Sequence, residues 1–109
     1  MLKIAYANIY QHPLPEGHRF PMVKYELIPK QLMYLGIITQ HNLFEPTLCS
    51  DEDVLLTHNY DYFHALKNCA LDASHVRRIG FPLTPELVTR ELCIAQGTID
   101  CALFAKNLA

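Results

Sequence analysis

The stretch of sequence that decides the fold is TPELVTRELCIAQGTIDCALFAKN, residues 84–107. Thr84 is followed by Pro85, which predicts a capped helix start whose first helical position needs no N–H donor. Glu86 adds negative charge to the first turn, where the helix dipole favours it. The pattern therefore predicts one long helix that runs to about Asn107.

The two halves of this predicted helix differ in polarity. The first half is amphipathic, whereas Ile94 to Ala105 is apolar on nearly every side, broken only by Gln96, Thr98 and Asp100. A helix that is apolar all round belongs in the interior of something large. Because the sequence stops two residues after Asn107, we expect it to be incomplete. Gly97 costs about 1 kcal/mol relative to alanine inside a helix, so we expect another element to pack closely there.

Composition bounds the class of protein. The chain has 109 residues, half of them hydrophobic and 18% charged, with a net charge of −2. That apolar content fits a piece of a larger body, so we treat residues 1–109 as a single partial domain. The sequence has no stripe of basic residues of the kind that binds nucleic acid. It has no run of the ~20 apolar residues that a segment needs to span a bilayer. With no signal peptide either, we expect a soluble, cytoplasmic protein.

Upstream of the long helix, residues 1–36 predict a strand, a loop and a helix. The apolar run Leu2–Ile9 reads as a buried strand. The segment from Tyr10 to Pro21 holds three prolines and a glycine, which predicts a loop. Met22–Leu35 has helical spacing, with Pro29 expected to kink or split it and Gly36 to stop it.

Short elements are predicted between residue 43 and the long helix. A second strand lies near Leu43–Leu48, interrupted by Pro46. Ser50 caps a helix reaching His58, Asn59 caps one from Tyr60 to about Ala70, and a turn follows at Ser74–Arg78. Gly80-Phe81-Pro82-Leu83 breaks the chain again. The fold class is therefore α/β, helix-rich with about two short parallel strands.

No motif in the chain carries chemistry by spacing alone. The histidines hold no metal-binding pair pattern; they are His12, His18, His41, His58, His64 and His75. We expect most of them to be surface or hydrogen-bonded structural residues. For His12 and His18, in the proline-rich loop, a structural role and a binding role are about equally expected. The cysteines predict buried thiols in a reducing compartment; they are Cys49, Cys69, Cys93 and Cys101. We expect no catalytic residue and no metal ligand here.

Several segments resemble the bacterial histone-deacetylase-like family, and they keep the family's order. They are YQHPLPEGHRFPMVKYEL (residues 10–27), RIGFPLTPELVTRE (78–91), AQGTIDCA (95–102) and the shorter THNYDY (57–62). The resemblance implies the N-terminal part of the arginase–deacetylase fold, a parallel sheet with helices on both faces. It also implies a parent hydrolase, an amidohydrolase in which one zinc ion activates water to cleave acyl-lysine or another acylated amine.

The family's catalytic motifs are missing from this sequence. There is no Gly-Gly-x-His-His segment and no Asp-x-His motif. What matches is the entrance of the substrate channel, so the resemblance assigns its rim to Tyr10, His12, His18, Arg19, Phe20 and Phe81. Zinc and an acetyl-lysine or acylated-amine substrate are expected for the parent; we expect this chain alone to bind no cofactor and to be inactive.

Two other readings stay open. The chain could be a non-catalytic binding or assembly module derived from the deacetylase fold, its apolar C-terminal helix covered by a partner or by a second copy in a homo-oligomer. It could also be an unrelated, small histidine-based metalloprotein.

Overall fold

The computed structural model describes residues 1–108, and the side chains of residues 1–107. Residue 109, the last of the partial domain predicted for 1–109, lies outside the described residues. The described chain is helix-rich α/β with two short parallel strands, in agreement with the coarse prediction. Its elements, in chain order, are β1 (Ile4–Ala5), a 3-10 turn (Asn8–Tyr10), α1 (Lys24–Tyr34), a 3-10 turn (Gln40–Asn42), β2 (Leu43–Phe44), α2 (Asp51–Val54), α3 (Tyr60–Lys67), α4 (Ala73–Ile79) and α5 (Pro85–Leu108).

The two strands pair in parallel, but they are shorter than the sequence predicts. Ile4 lies opposite Leu43 and Ala5 opposite Phe44, and the N–H of Tyr6 donates to the carbonyl of Phe44 at 2.9 Å. The strand predicted over Leu2–Ile9 ends early because the backbone turns into the 3-10 helix at residues 8–10. The second strand stops two residues before its proline, which has no N–H to offer a ladder.

The predicted helix starts are confirmed where a capping side chain was identified. The Ser50 hydroxyl accepts the N–H of residue 53 at 3.2 Å, and the Asn59 amide oxygen accepts that of residue 61 at 2.8 Å. The Thr84 hydroxyl accepts the N–H of residue 87 at 3.1 Å, at the start of α5. Each bond satisfies one of the N–H groups that a helix start leaves without a partner.

Several predicted bounds are wrong. α1 is one continuous helix with Pro29 inside it, so the split into two shorter helices that the proline offered does not occur. α2 ends at Val54 rather than His58, and α3 at Lys67 rather than Ala70. The turn predicted at Ser74–Arg78 is the helix α4, capped by the carboxylate of Asp72.

The core lies where α5 crosses β1 and the first 3-10 turn. Ala7, Tyr10 and Cys93 form its buried centre, and Ile94 packs against them. At Gly97 an added Cβ would lie 2.9 Å from the Tyr10 hydroxyl oxygen and 3.1 Å from both Ala5 Cβ and Pro46 Cγ. The close packing predicted at this glycine is therefore confirmed.

The C-terminal half of α5 is only partly covered by the rest of the described chain. Ile99 is 37% exposed and Leu103 is 51% exposed, while Phe104 packs edge-on against Phe44. The apolar sequence predicted that this half of α5 is buried, and the described residues do not bury it. None of the helices within residues 1–108 is long and apolar enough to cross a membrane.

Candidate functional site

The two segments that carry the strongest resemblance meet in space, although they are more than fifty residues apart. Nε2 of His18, in the loop before α1, lies 2.8 Å from the carbonyl oxygen of Gly80. Nε2 of His12 lies 3.3 Å from the carbonyl oxygen of Pro82. Gly80 has φ +81°, a left-handed conformation that ends α4 and favours glycine. The loop is thus attached to the turn through two imidazoles and two main-chain oxygens.

The hydrogen bonds of His18 define its tautomer. Its Nδ1 accepts the N–H of Phe20 at 3.1 Å and therefore carries no proton in that arrangement. Nε2 must then be the protonated nitrogen, and it donates to the Gly80 carbonyl. Both ring nitrogens are engaged, so His18 in this state offers no lone pair to a metal ion or to a substrate proton.

His12 is the buried member of the pair. It is 5% exposed, and its ring centroid lies 6.4 Å from that of Phe81. A neutral imidazole that donates from Nε2 to the Pro82 carbonyl satisfies one of its two nitrogens inside the protein. Together with His18, this residue fixes the path of the proline-rich loop.

Phe81 joins the loop residues through its ring. Its centroid lies 5.0 Å from that of Phe20, in an edge-to-face arrangement, and 5.7 Å from that of His18. Such aromatic pairs contribute about 0.5–1.5 kcal/mol beyond the area they bury. Four predicted rim residues, His12, His18, Phe20 and Phe81, therefore form one cluster, called the rim cluster below.

The remaining two predicted rim residues lie apart from this cluster. The Tyr10 side chain points into the core, 8% exposed, with edge-to-face contacts to Tyr6 and Tyr25. Burial raises the pKa of Tyr10 to about 12, helped by the nearby Cys93 thiol. Arg19 is exposed. For all six residues, the role of channel rim remains a prediction.

Arg90 is a residue of the site that sequence reasoning missed. It is 3% exposed, and its Nε donates to the carbonyl of Tyr10 at 2.7 Å. Its guanidinium carbon lies 5.1 Å from the ring centroid of Tyr25 and 5.7 Å from that of Phe81. A signal was present in the sequence, since Arg90 stands three residues after Leu87, on the apolar side of the amphipathic half of α5.

The motif Thr57-His58 and Tyr62 lies in a different place, at an apolar cleft of about 450 Å³ between α5 and the α2–α3 segment. The His58 and Tyr62 rings stack at 6.2 Å there. Tyr62 also meets His75, whose Nδ1 lies 2.8 Å from the Asp72 carboxylate. The backbone and side chain of His75 lower the pKa of that carboxyl group.

Nowhere in residues 1–108 do three histidine, cysteine, aspartate or glutamate side chains converge in a way that could hold a metal ion. The cysteines that the structure describes are free; Cys49 and Cys93 are buried, whereas Cys69 and Cys101 are half-buried. Burial raises the pKa of the Cys49 and Cys93 thiols, which favours their protonated form.

Comparison with known proteins gives partial similarities. No family model matches the chain. It is 35% identical over 102 residues to an uncharacterized protein of Picosynechococcus sp., a match that covers 94% of this chain and 34% of that protein. It is 32% identical over 66 residues to the acetoin utilization protein AcuC of Staphylococcus xylosus, covering 60% of this chain and 17% of AcuC. The AcuC of Staphylococcus aureus strain COL is 24% identical over 63 residues. The chain thus spans about a third of the first relative's length and about a sixth of AcuC.

Proposed function

We propose that this chain forms the N-terminal, channel-rim part of a zinc-dependent deacetylase-like hydrolase with the arginase–deacetylase fold. In this proposal the whole protein works in the cytoplasm and hydrolyses acyl-lysine or another acylated amine. The zinc ion and the groups that activate water belong to parts of the protein outside this chain. The 109 residues alone are then inactive.

One observation carries the proposal. The two segments with the most specific resemblance to the family, around His18 and around Phe81, are brought together by the fold into one cluster. The partial matches to AcuC, a histone-deacetylase-like protein, agree with the resemblance. The cluster offers aromatic and imidazole surfaces, which suit contact with an aliphatic acyl-amine chain, and no group poised for acid–base or nucleophilic catalysis.

The proposal is tested by a chimera. The 102-residue stretch of this chain that aligns with the Picosynechococcus relative replaces the matching segment of that relative, and hydrolysis of an acetyl-lysine peptide is measured with zinc and with a chelator. We expect chelator-sensitive hydrolysis by the chimera and none by the 109-residue chain. The substitution Phe81→Ala in the chimera should raise KM about tenfold while zinc content stays unchanged, since it removes a contact with substrate and no metal ligand.

Two outcomes would contradict the proposal. Chelator-sensitive turnover by the 109-residue chain would show that it holds a catalytic centre of its own. Absence of zinc-dependent hydrolysis in both the relative and the chimera would remove the deacetylase assignment. Arg78→Lys in the chimera is the matched control for Phe81→Ala, because Arg78 is exposed and lies next to the turn that holds Phe81.

A second candidate function is a non-catalytic assembly module, and exposed apolar side chains favour it. Leu27 and Ile28 on α1 are 52% and 54% exposed, and Leu103 on α5 is 51% exposed. Soluble proteins leave larger apolar patches open mainly where a partner binds. In this reading a second copy covers α5. Light scattering across a concentration series tests it: a monomer at every concentration contradicts self-association, and a dimer that Leu103→Lys dissociates supports it.

A further inference from the structure

Arg90 lies at the meeting point of the structural pieces that form the site. It extends from α5, contacts the first 3-10 turn through the Tyr10 carbonyl, and approaches Met22 just before α1, with 3.8 Å between Nη2 and the methionine sulfur. Its guanidinium also lies near the faces of Tyr25 and Phe81. Arg90 thus links the 3-10 turn, the first turn of α1 and the turn at residue 81.

The burial of Arg90 requires a reason, because a buried charge is costly unless it is paired and hydrogen-bonded. Glu91 supplies the negative charge, with its Oε1 2.6 Å from Nη1 of Arg90. Glu91 is itself 46% exposed, so its carboxylate is partly solvated and compensates the buried guanidinium incompletely. The remaining stabilisation comes from the Tyr10 carbonyl and from the two ring faces.

The chemistry of the contacts selects arginine over lysine. The guanidinium is planar, so it can donate in its own plane to a carbonyl while its faces lie against aromatic rings. A lysine ammonium is a strongly hydrated point charge and cannot do both at once. A nonpolar side chain could fill the volume but would leave the Tyr10 carbonyl without this donor.

We infer that Arg90 is a positioning residue: it holds Phe81 and the start of the proline-rich loop in register, and thereby fixes the hydrogen-bonded arrangement of His18 at the rim cluster. The inference rests on the proposed function for its bearing on substrate. It concerns a residue that acts through others, since Arg90 itself is buried and does not reach the surface of the cluster.

The experiment uses the 109-residue chain and compares Arg90→Met and Arg90→Lys with the unaltered protein. Two signals are followed by NMR at about pH 8, where histidine is mostly neutral. The first is hydrogen exchange of the Phe20 amide, which donates to His18 Nδ1. The second is the pair of imidazole nitrogen signals of His18, which distinguish a single tautomer from an average of two. We expect about a tenfold loss of Phe20 protection in both variants, together with nitrogen signals that move toward each other.

A control separates positioning from general loss of stability. Phe63→Leu alters a buried residue of α3, 4% exposed, on the helix that lines the apolar cleft rather than the rim. It should lower the melting temperature and leave both His18 signals unchanged. Equal movement of the His18 signals in Phe63→Leu, at a similar loss of stability, would overturn the inference. Unchanged Phe20 protection in a folded Arg90 variant would overturn it as well.

If both Arg90 variants unfold, the variant Glu91→Gln tests the inference instead, through the same measurement of Phe20 protection. It leaves Arg90 in place and removes only its charged partner at a half-exposed position. We expect about a threefold loss of Phe20 protection, and unchanged protection would overturn the inference. These signals report the position of the loop whether or not the whole protein is a hydrolase, whereas the chimera assay reports hydrolysis. Failure of the inference and failure of the proposed function are therefore distinguishable.

Discussion

Substitution of Gly97 by alanine sets two known effects against each other. Inside a helix, alanine is favoured over glycine by about 1 kcal/mol. The added methyl group, however, would lie 2.9 Å from the Tyr10 hydroxyl oxygen and 3.1 Å from Ala5 Cβ and Pro46 Cγ. Ordinary contacts between such atoms are about 3.5–4.0 Å, so three neighbours would each have to retreat by roughly half an ångström.

The neighbours of Gly97 have little room to retreat. Tyr10 is 8% exposed and lies edge-on to both Tyr6 and Tyr25, and Pro46 is a buried ring. Extra volume in a filled core costs about 1–3 kcal/mol. After the helix gain of about 1 kcal/mol is subtracted, we expect Gly97→Ala to lower the free energy of unfolding by up to about 2 kcal/mol. For a chain of this size, that lowers Tm by up to roughly 15 °C.

The assay is thermal and urea unfolding followed by circular dichroism. Thr98→Ala is the matched control, since the next residue is exposed and its change should stay within about 0.5 kcal/mol. Adding Tyr10→Phe to Gly97→Ala removes the closest contact and should recover part of the loss relative to Tyr10→Phe alone. A Gly97→Ala protein that is more stable by the full helix increment of about 1 kcal/mol would refute the reasoning.

Three further predictions follow from the burial and capping described above. The folded protein holds the Tyr10 phenol neutral up to about pH 12, whereas the unfolded chain ionises it near its ordinary value of 10.0, so stability should fall as the pH rises from about 10 to about 12. Urea titrations at each pH measure this, and Tyr10→Phe should reduce the slope. In thiol labelling at neutral pH, Cys49 and Cys93 should react only when urea unfolds the chain, because burial both shields them and raises their pKa; rapid labelling of either in the folded protein would contradict this. Ser50→Ala should cost about 1 kcal/mol in the same unfolding assay, since it removes the acceptor at the start of α2, and Ser50→Asp should retain most of that stability.

The helix starts could be predicted from sequence because their signals are local. Ser50, Asn59 and Thr84 each cap the helix that follows, through a bond between residues two or three apart. Asp72 was missed although the same rule applies to it, because the short stretch after it has no clear apolar periodicity. A capping residue can therefore be identified from the sequence when the helix that follows it is long enough to be recognised.

Strand length and the course of α1 depend on contacts that sequence does not show. The first strand stops after Ala5 because the backbone turns, and its partner is nearly forty residues away. α1 stays one helix although Pro29 lies inside it, whereas the local rule for an interior proline predicts a kink or a split. Propensity alone therefore placed the bounds of these elements wrongly while giving their type correctly.

The site was partly predictable: most of its residues could be identified from the sequence, but the contacts between them could not. The loop was identified as a segment rich in binding-type residues, His18 among them, whereas Phe81 in the turn was assigned to the rim by resemblance alone. Their contact could not be derived from spacing, because it depends on α5 and on the αL conformation at Gly80. Arg90 was missed because an arginine within a helix is usually a solvated residue, although its place three residues after Leu87 put it on the apolar side of α5. The structure shows it buried against Tyr25 and Phe81.

Both histidines of the rim cluster bind main-chain oxygens, and this has an evolutionary consequence. Acceptors at residues 80 and 82 belong to the backbone, so they survive any substitution that preserves the local path of the chain. Side chains that face outward from the rim cluster can therefore change from one lineage to the next without breaking these hydrogen bonds. If the cluster forms the proposed channel rim, the same scaffold accepts bulkier or smaller molecules through changes in those outward side chains, while Gly80 and the two imidazoles stay fixed.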